Sequence, residues 1–440
     1  FLRDVLSQPA LLIGIMSCVG LIALKRPFHK IMTGTLKPIL GYLMLAAGAG
    51  VIVSNLDPLG KMIEHGFHIT GVVPNNEAIV AVAQKVLGVE TMSILVVGLL
   101  MNLLIARFTK FKYVFLTGHH SLFMACLMSA VLGTAGLSGI ELILVGGFLM
   151  GAWSAISPAI GQSYTSKVTD GDEIALGHFG SLGYYLSAWV AKYVGKAEES
   201  TEDIEIPEKW GFLRDSTLST ALTMIVFYLI AAIAAGSEFV ATLSGSMSPY
   251  LFAVMSAMNF AVGVAIVYSG VRMILGDLIP AFQGIATKII PNAIPAVDCA
   301  VFFTYAPTAV VLGFISSFIG GIIGMLILGA VGGVLIIPGL VPHFFCGATA
   351  GIYGNATGGR RGAAVGAFLN GLAITFLPAL ALPVLGQLGF QNTTFGDADF
   401  AVMGLVLGNA FEWIGMAGIY GVVVIAALVL IIPNFIKTKG

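Results

Sequence analysis

The sequence has very little charge. Only 10% of its 440 residues are Asp, Glu, Lys or Arg, and 58% are hydrophobic, whereas about a quarter of an ordinary globular domain is charged. Residues 299–359 contain no charged side chain, and residues 113–166 and 216–271 contain one acid each. This composition excludes a soluble protein, whose surface must meet water. Each run is long enough for at least two helices of roughly 20 residues across a bilayer.

Several chemical signatures are also missing. No Gly-rich loop ends in Lys-Ser or Lys-Thr, so the chain does not hydrolyse ATP, and its energy must come from an ion gradient or a partner. A net charge of −1 gives no basis for nucleic-acid binding, and we expect no cofactor. Because the chain starts at Phe1 and not at Met, we expect residues before it. The cysteines lie in apolar runs without metal or redox spacing, which favours buried structural thiols: Cys18, Cys126, Cys299 and Cys346.

The apolar runs are read as membrane helices with interruptions. We predict an all-α polytopic transmembrane transporter, because a backbone in lipid must satisfy its hydrogen bonds internally. About eleven spans are predicted, at residues 9–24, 38–54, 91–106, 113–132, 139–157, 217–235, 250–271, 297–318, 320–338, 363–384 and 414–436. Residues 71–90 and 174–193 are too short or too interrupted for full spans. We predict re-entrant hairpins there, whose helix ends can bind a solute near the membrane midplane.

Charge also predicts the orientation in the membrane. Basic residues occupy alternate loops, at residues 25–37, 107–112, 192–214, 272–288, 360–361 and 437–439. The loops between them carry mostly acids: Asp57, Glu64, Glu77, Glu141, Glu238, Asp397 and Asp399. The positive-inside rule therefore places the N-terminus outside and the C-terminus in the cytoplasm.

A short repeat divides the chain. Phe1-Leu2-Arg3-Asp4 recurs as Phe212-Leu213-Arg214-Asp215, with five predicted spans between the copies. An odd number of crossings predicts two inverted-topology repeats, residues 1–211 and 212–440. Residues 192–215 form a cytoplasmic loop between them, with eleven charged residues and a net charge of −3. This loop is either a solvated connector or a docking surface for a cytoplasmic partner.

Ionisable residues inside spans are costly, so each is a hypothesis about function. His119 and His178 are flanked by glycine, which permits close approach of a ligand. Asp298 follows Pro295 and either lines a cavity or caps a broken helix. His, Asp, Asn and Gln offer directional hydrogen bonds to a solute with several hydroxyl groups.

Other ionisable residues have a simpler interpretation. His120 and His343 are read as interhelical hydrogen-bonding residues, and Glu412 as a structural or interfacial acid. Two histidines with a carboxylate could hold a metal. However, no two of these residues have ligand spacing along the chain, so we predict no metal.

Short motifs along nearly the whole chain resemble one family. They are Leu116-Thr117-Gly118-His119, Val168-Thr169-Asp170-Gly171, Gly177-His178, Gly195-Lys196-Ala197-Glu198-Glu199-Ser200, Gly270-Val271-Arg272-Met273, Val297-Asp298-Cys299-Ala300, Ala306-Pro307 and Leu335-Ile336-Ile337-Pro338-Gly339. In this order they are similar to the L-ascorbate-type permease, the IIC component of the bacterial phosphoenolpyruvate:sugar phosphotransferase system (PTS).

The resemblance implies a homodimeric elevator transporter of the bacterial inner membrane, with a scaffold and a moving core. It implies that L-ascorbate or a related sugar acid is carried inward and phosphorylated by a separate IIB protein, which IIA phosphorylates. The implied solute-binding residues are His119, His178 and Asp298.

The chain departs from the family at four further positions of the implied site. Phe123 and Phe179 stand where the ascorbate binders have polar side chains, and Asn76-Glu77 replaces a Thr-Tyr pair. A phenyl ring cannot replace a hydrogen bond to a hydroxyl group, so these positions put the solute in question. The alternative function is an ion-coupled secondary transporter of a sugar acid or polyol, with Asp298 as its proton or Na⁺ site.

Overall fold

The computed structural model describes residues 8–68, 71–72, 74, 76–204, 216–386 and 394–435, without the side chains of residues 77–88 and some single helical positions. The repeated motifs at 1–4 and 212–215 lie outside these residues. The helices are α1 (Pro9–Ala23), α2 (Phe28–Phe67), α3 (Asn76–Phe108), α4 (Gly118–Thr134), α5 (Gly139–Thr169), α6 (Ser181–Val194), α7 (Ser216–Ala235), α8 (Ser237–Ser244), α9 (Pro249–Lys288), α10 (Pro307–Ala330), α11 (Leu340–Gly386), α12 (Ala398–Ile414) and α13 (Met416–Phe435). The strands are β1 (Tyr113–Phe115), β2 (Ala175–Leu176) and β3 (Ile294–Val297), and a 3₁₀ helix, η1, covers Cys299–Thr304.

The described helices confirm a multi-pass membrane protein. Seven of them are long and apolar enough to cross a bilayer, or eight when α7 and α8, bent by 117°, count as one span. Only 17% of the 18-residue apolar stretch of α13 is buried inside the protein. Such an apolar surface is stable against lipid and not against water.

Several predicted span boundaries are wrong. One helix, α10, replaces the two predicted spans 297–318 and 320–338. It begins only at Pro307, and Gly332, just after its end, has a left-handed backbone conformation. The predicted span 113–132 is strand β1 followed by the 17-residue helix α4. Two helical segments were missed, residues 340–357 of α11 and the whole of α12.

The two predicted hairpins have different outcomes. Residues 76–90 are not a hairpin but the start of α3, a continuous helix of 33 residues. No proline interrupts this stretch, so the helix continues. Residues 174–193 are interrupted as predicted, since strand β2 turns at Gly177–Gly180 into helix α6.

The helices form two groups that pack densely within themselves and sparsely against each other. The first group contains α1, α2, α7, α8 and α9, and the second contains the other helices and the strands. In the first group α2 and α9, each of 40 residues, meet at glycines. Gly41 lies against the carbonyl of Gly270, and Gly48 against that of Gly263. Small residues permit such close packing of helices in membranes. A larger side chain at either glycine would push the two backbones apart.

A buried three-stranded parallel sheet lies inside the second group, in the order β1-β3-β2. Tyr113–Phe115 pairs with β3 from Ile294 onward, and Ala175–Leu176 pairs with the end of β3. Extended backbone is tolerated at membrane depth when protein satisfies its hydrogen bonds. The pairing therefore explains how three non-helical segments are stable within an apolar protein.

The described part of the charged connector, residues 192–204, is attached to the second group. The carboxylate of Glu202 accepts hydrogen bonds from the main-chain N–H groups of Thr308 and Ala309 at the start of α10. The Arg360 N–H donates to the carbonyl of Glu199. Residues 205–215 of the predicted loop lie outside the described residues.

Candidate functional site

The parallel sheet brings three predicted site residues together. His119 follows β1, His178 follows β2 and Asp298 follows β3. Because the strands are parallel, their carboxyl ends meet at one edge of the sheet. Each polar side chain is thus placed by a short strand whose residues are mostly buried.

His119 connects the two helix groups. Its Nδ1 lies 3.1 Å from the hydroxyl of Tyr42 on α2, and its Nε2 lies 3.4 Å from Oδ2 of Asp298. The His119 side chain is 37% exposed and the Asp298 side chain 10%. His119 is therefore the more accessible of the two to a solute.

Asp298 serves both of the roles considered for it. Its Oδ1 accepts a hydrogen bond of 3.1 Å from the Ala300 N–H and so caps η1. Its Oδ2 faces His119. The cap fixes the orientation of the carboxylate, because its two oxygens have different partners.

His178 is held in the turn between β2 and α6. Its Nδ1 accepts from the Gly180 N–H at 3.1 Å and lies 2.9 Å from the hydroxyl of Tyr184. The same nitrogen is 3.8 Å from Oδ1 of Asp397. Since a main-chain N–H must donate, Nδ1 of His178 is unprotonated, and the neutral ring has its hydrogen on Nε2.

His120 lies directly against His178, with ring centroids 3.8 Å apart. Its Nδ1 accepts from the Phe179 N–H at 3.3 Å, and its ring stacks on Phe400. His120 thus makes a hydrogen bond, but to the turn before α6 and not to another helix as the sequence interpretation predicted. Both imidazoles carry their hydrogen on Nε2 by the same argument.

A second set of parallel bridges supplies two further polar residues. Val72 pairs with Ile336, and Pro74 pairs with Thr394. Asn76 and Asp397 follow these bridges, and Asn76 Nδ2 donates to Oδ2 of Asp397 at 2.6 Å. The other oxygen of Asp397 accepts from Cys346 Sγ at 2.9 Å.

These side chains border a cavity of about 930 Å³ between the helix groups. Its polar lining includes Asn76, His119, His120, His178, Asp298 and Asp397. It extends along α2 to the exposed ion pair of Asp57 with Lys61. Among the described residues that line it, Lys61 is the one Lys or Arg. The inner part thus offers imidazoles, an amide and carboxylates, but no described Lys or Arg.

The other predicted site positions have different surroundings. Phe123 lines the cavity and meets His119 edge to face, with centroids 5.8 Å apart. The Phe179 side chain is fully buried, stacks on Phe115 and lies against the His120 ring with centroids 6.0 Å apart, but it does not line the cavity itself. Asn76 lines the cavity, whereas the Glu77 side chain lies outside the described residues.

Sequence reasoning missed Asp397 and Asp399. Both were assigned to an external loop, but both are buried. Asp399 accepts from Ser181 Oγ, the Leu182 N–H and Trp153 Nε1, and so caps α6 from another helix. The available sequence signal was that these two acids lie next to the aromatic residues Phe395 and Phe400. Acids among apolar residues can be buried, and a buried carboxylate requires hydrogen-bond partners.

Two ionisable residues lie elsewhere. His343 is buried, and its Nδ1 lies 2.9 Å from Ser317 Oγ on a neighbouring helix, as its interhelical interpretation predicted. Glu412 is exposed near the end of α12. Neither borders the cavity.

A metal would fit these groups poorly, although their ligand atoms are close together. Atoms of His120, His178 and Asp397 lie within 4.8 Å of one another, as do those of His178, Asp298 and Cys299. A metal-bound histidine normally donates its second ring N–H to an acceptor. In both His120 and His178, Nδ1 accepts a main-chain N–H, so neither ring has a second N–H to donate when its Nε2 binds a metal. The hydrogen bonds favour donation to a solute.

The fold and the cavity define a multi-pass membrane protein with a buried polar site between two helix groups, as expected of a permease. Residues 4–399 match the family model described as the PTS system sugar-specific permease component. The chain belongs to this permease family.

A curated relative is the ascorbate-specific PTS system EIIC component of Mycoplasma pneumoniae. The two chains are 26% identical over 417 residues, which covers 81% of this chain and 62% of the relative. This chain thus spans less than two thirds of the length of that relative.

Proposed function

We propose that this protein is a PTS IIC permease that binds a polyhydroxylated solute, L-ascorbate or a related sugar acid, and carries it inward. A separate cytoplasmic IIB protein, phosphorylated by IIA, then transfers the phosphoryl group to the solute. The ester is trapped because its charge opposes return across the membrane. The permease subunit itself performs no phosphoryl transfer.

The observation that carries the proposal is the convergence of His119, His178 and Asp298 on one cavity. They come from three separate strands, and a fourth polar residue, Asn76, borders the same space. Directional donors and acceptors around an accessible cavity suit a solute with several hydroxyl groups. The apolar ring of Phe123 can cover one face of that solute.

Two inverted repeats, residues 1–211 and 212–440, are part of the proposal. Helices α2 and α9 have equal lengths of 40 residues and pack against each other. The strand pairs also exchange between the halves, since Val72 pairs with Ile336 and β1 pairs with β3. This reciprocal pairing supports a duplicated and inverted plan.

Transport is proposed to follow an elevator mechanism. The first helix group would act as the scaffold and the second, which carries the site, as the moving core. Sparse packing between the groups supports this assignment, because closely packed interfaces resist sliding. The hydrogen bond of Tyr42 with His119 crosses this boundary and would have to break during transport.

The orientation proposal combines charge with the shape of the cavity. The positive-inside rule places the N-terminus in the periplasm and the C-terminus in the cytoplasm of the bacterial inner membrane. The cavity extends along α2 towards Asp57 and Lys61, at the end of the helix that this rule places outside. We therefore assign the structure to an outward-facing state. The homodimer rests on the family resemblance alone.

Reconstituted vesicles test the function. Uptake of labelled L-ascorbate should require purified IIB, IIA and a phosphoryl donor inside the vesicle, and the internal product should be a phosphate ester. If unmodified solute accumulates against its gradient in vesicles without these proteins, the ion-coupled alternative is correct. A matched vesicle with the Asp298→Asn variant controls for leakage.

A further inference from the structure

The buried histidine next to the predicted site differs from a purely structural residue in one respect. The Nδ1 of His120 is used by the protein, since it accepts the Phe179 N–H. Its Nε2–H has no hydrogen-bond partner among the described residues, and the side chain borders the cavity. A structural histidine would be expected to use both ring nitrogens, because buried donors without partners are costly.

His178 has the same arrangement. The Gly180 N–H occupies its Nδ1, and the ring borders the cavity beside His120. The two rings are 3.8 Å apart between centroids. Consecutive main-chain N–H groups of one turn, at Phe179 and Gly180, thus fix both rings in the Nε2–H form.

From this geometry we infer that His120 is a solute-binding residue that donates its Nε2–H, together with that of His178, to neighbouring oxygen atoms of one solute. The inference rests on the proposed function, because it adds a specificity-determining residue to the same site. Two fixed neutral donors select oxygen acceptors and cannot bind a cationic or metal ligand in this form. The oxygen pair can belong to a vicinal diol or to an enediol.

The donors also account for the phenylalanines of the site. Neither Phe123 nor Phe179 has a polar side chain to offer a hydroxyl group. The Phe179 main chain instead orients His120, and Phe123 packs against the same ring with centroids 5.7 Å apart. The hydrogen-bonding capacity that these positions lack is thus supplied by the neighbouring histidine.

Two substitutions separate binding from a structural role. In His120→Asn, the side-chain oxygen can replace Nδ1 and accept the Phe179 N–H, but the donor at the Nε2 position is lost. In His120→Gln, the amide N–H reaches the Nε2 position. We expect about tenfold weaker binding for His120→Asn, the value of one hydrogen bond, and less than about threefold for His120→Gln.

The probes are L-ascorbate and the uncharged polyol xylitol, titrated calorimetrically into the purified full chain. His343→Asn is the matched control, since it alters a buried histidine that does not border the cavity. If a probe binds and His120→Asn binds it as tightly as the wild type, the inference is wrong while the permease function stands. The same holds if His120→Gln is the weaker variant.

A solute-independent measurement keeps the inference testable. The chain has seven histidines, so ¹⁵N spectra of histidine-labelled protein can be assigned by single substitutions. We expect His120 and His178 to show protonated Nε2 and unprotonated Nδ1. If neither probe binds, the proposed solute class is wrong. The inference about His120 is then tested by the histidine spectrum alone. A protonated Nδ1 at His120 overturns the inference.

Discussion

Replacing Asp298 by Asn should remove one solute contact and preserve the fold. The variant keeps an oxygen that can accept the Ala300 N–H, so the cap of η1 is retained. It loses the charged acceptor that now faces His119 at 3.4 Å. Because the side chain is mostly buried, water cannot replace that acceptor well.

The magnitude follows from the type of hydrogen bond. A hydrogen bond to a charged group contributes about 1.5–3 kcal/mol, which corresponds to about 10- to 150-fold in Kd. Calorimetric titration of L-ascorbate into the purified protein measures this change. The thermal unfolding midpoint should shift little in the absence of solute.

Asp277→Asn is the matched control for this experiment. Asp277 lies on α9 and pairs with Lys37 at 3.7 Å, away from the cavity. Its substitution removes one carboxylate of similar chemistry without touching the site. If Asp298→Asn binds the solute within twofold of the wild type, the assignment of Asp298 as a solute ligand is refuted.

Three further variants examine other parts of the structure. His178→Ala should abolish binding of L-ascorbate while light scattering shows the same particle mass as for the wild type, and retained affinity would contradict the proposed site. Tyr42→Phe should shift the equilibrium between the proposed transport states about 2- to 10-fold, the value of one neutral hydrogen bond. Spin-label distances between α2 and α4 measure this shift, and an unchanged distribution would contradict the proposed elevator boundary. Asp399→Ala should lower the free energy of unfolding by about 2–5 kcal/mol, because it leaves buried N–H donors without a partner. Equilibrium unfolding measures this change, and Asp277→Asn serves as the control.

The sequence contained enough information to predict the class of protein and to single out part of the candidate site. Ionisable residues are rare in this chain, so His119, His178 and Asp298 were visible as exceptions within apolar segments. Their convergence required the parallel sheet, which could not be predicted. Its strands contain only two to four residues, too few for a periodic pattern to distinguish them from helix.

The acids before α12 show why the rest of the site was missed. Asp397 follows a stretch of polar residues, and polarity alone indicates a loop. Burial of this carboxylate depends on Asn76 and Cys346, which are distant in sequence and supply its hydrogen bonds. Partners that come from other parts of the chain leave no local signal. Asp397 does lie in the connection before α12, but its side chain is buried and not exposed as a loop acid would be.

The position of Tyr42 constrains how a solute could influence movement between the helix groups. The contacts of Asn76 with Asp397 and of His119 with Asp298 lie within the second group, so they would persist in the proposed movement of that group as a body. The contact of Tyr42 with His119 would not, because its partners belong to different groups. A solute that bonds to Nδ1 of His119 would compete with Tyr42 for that nitrogen. Since a ligand shifts an equilibrium only by its differential affinity for the two states, this competition is one way for solute binding to favour movement.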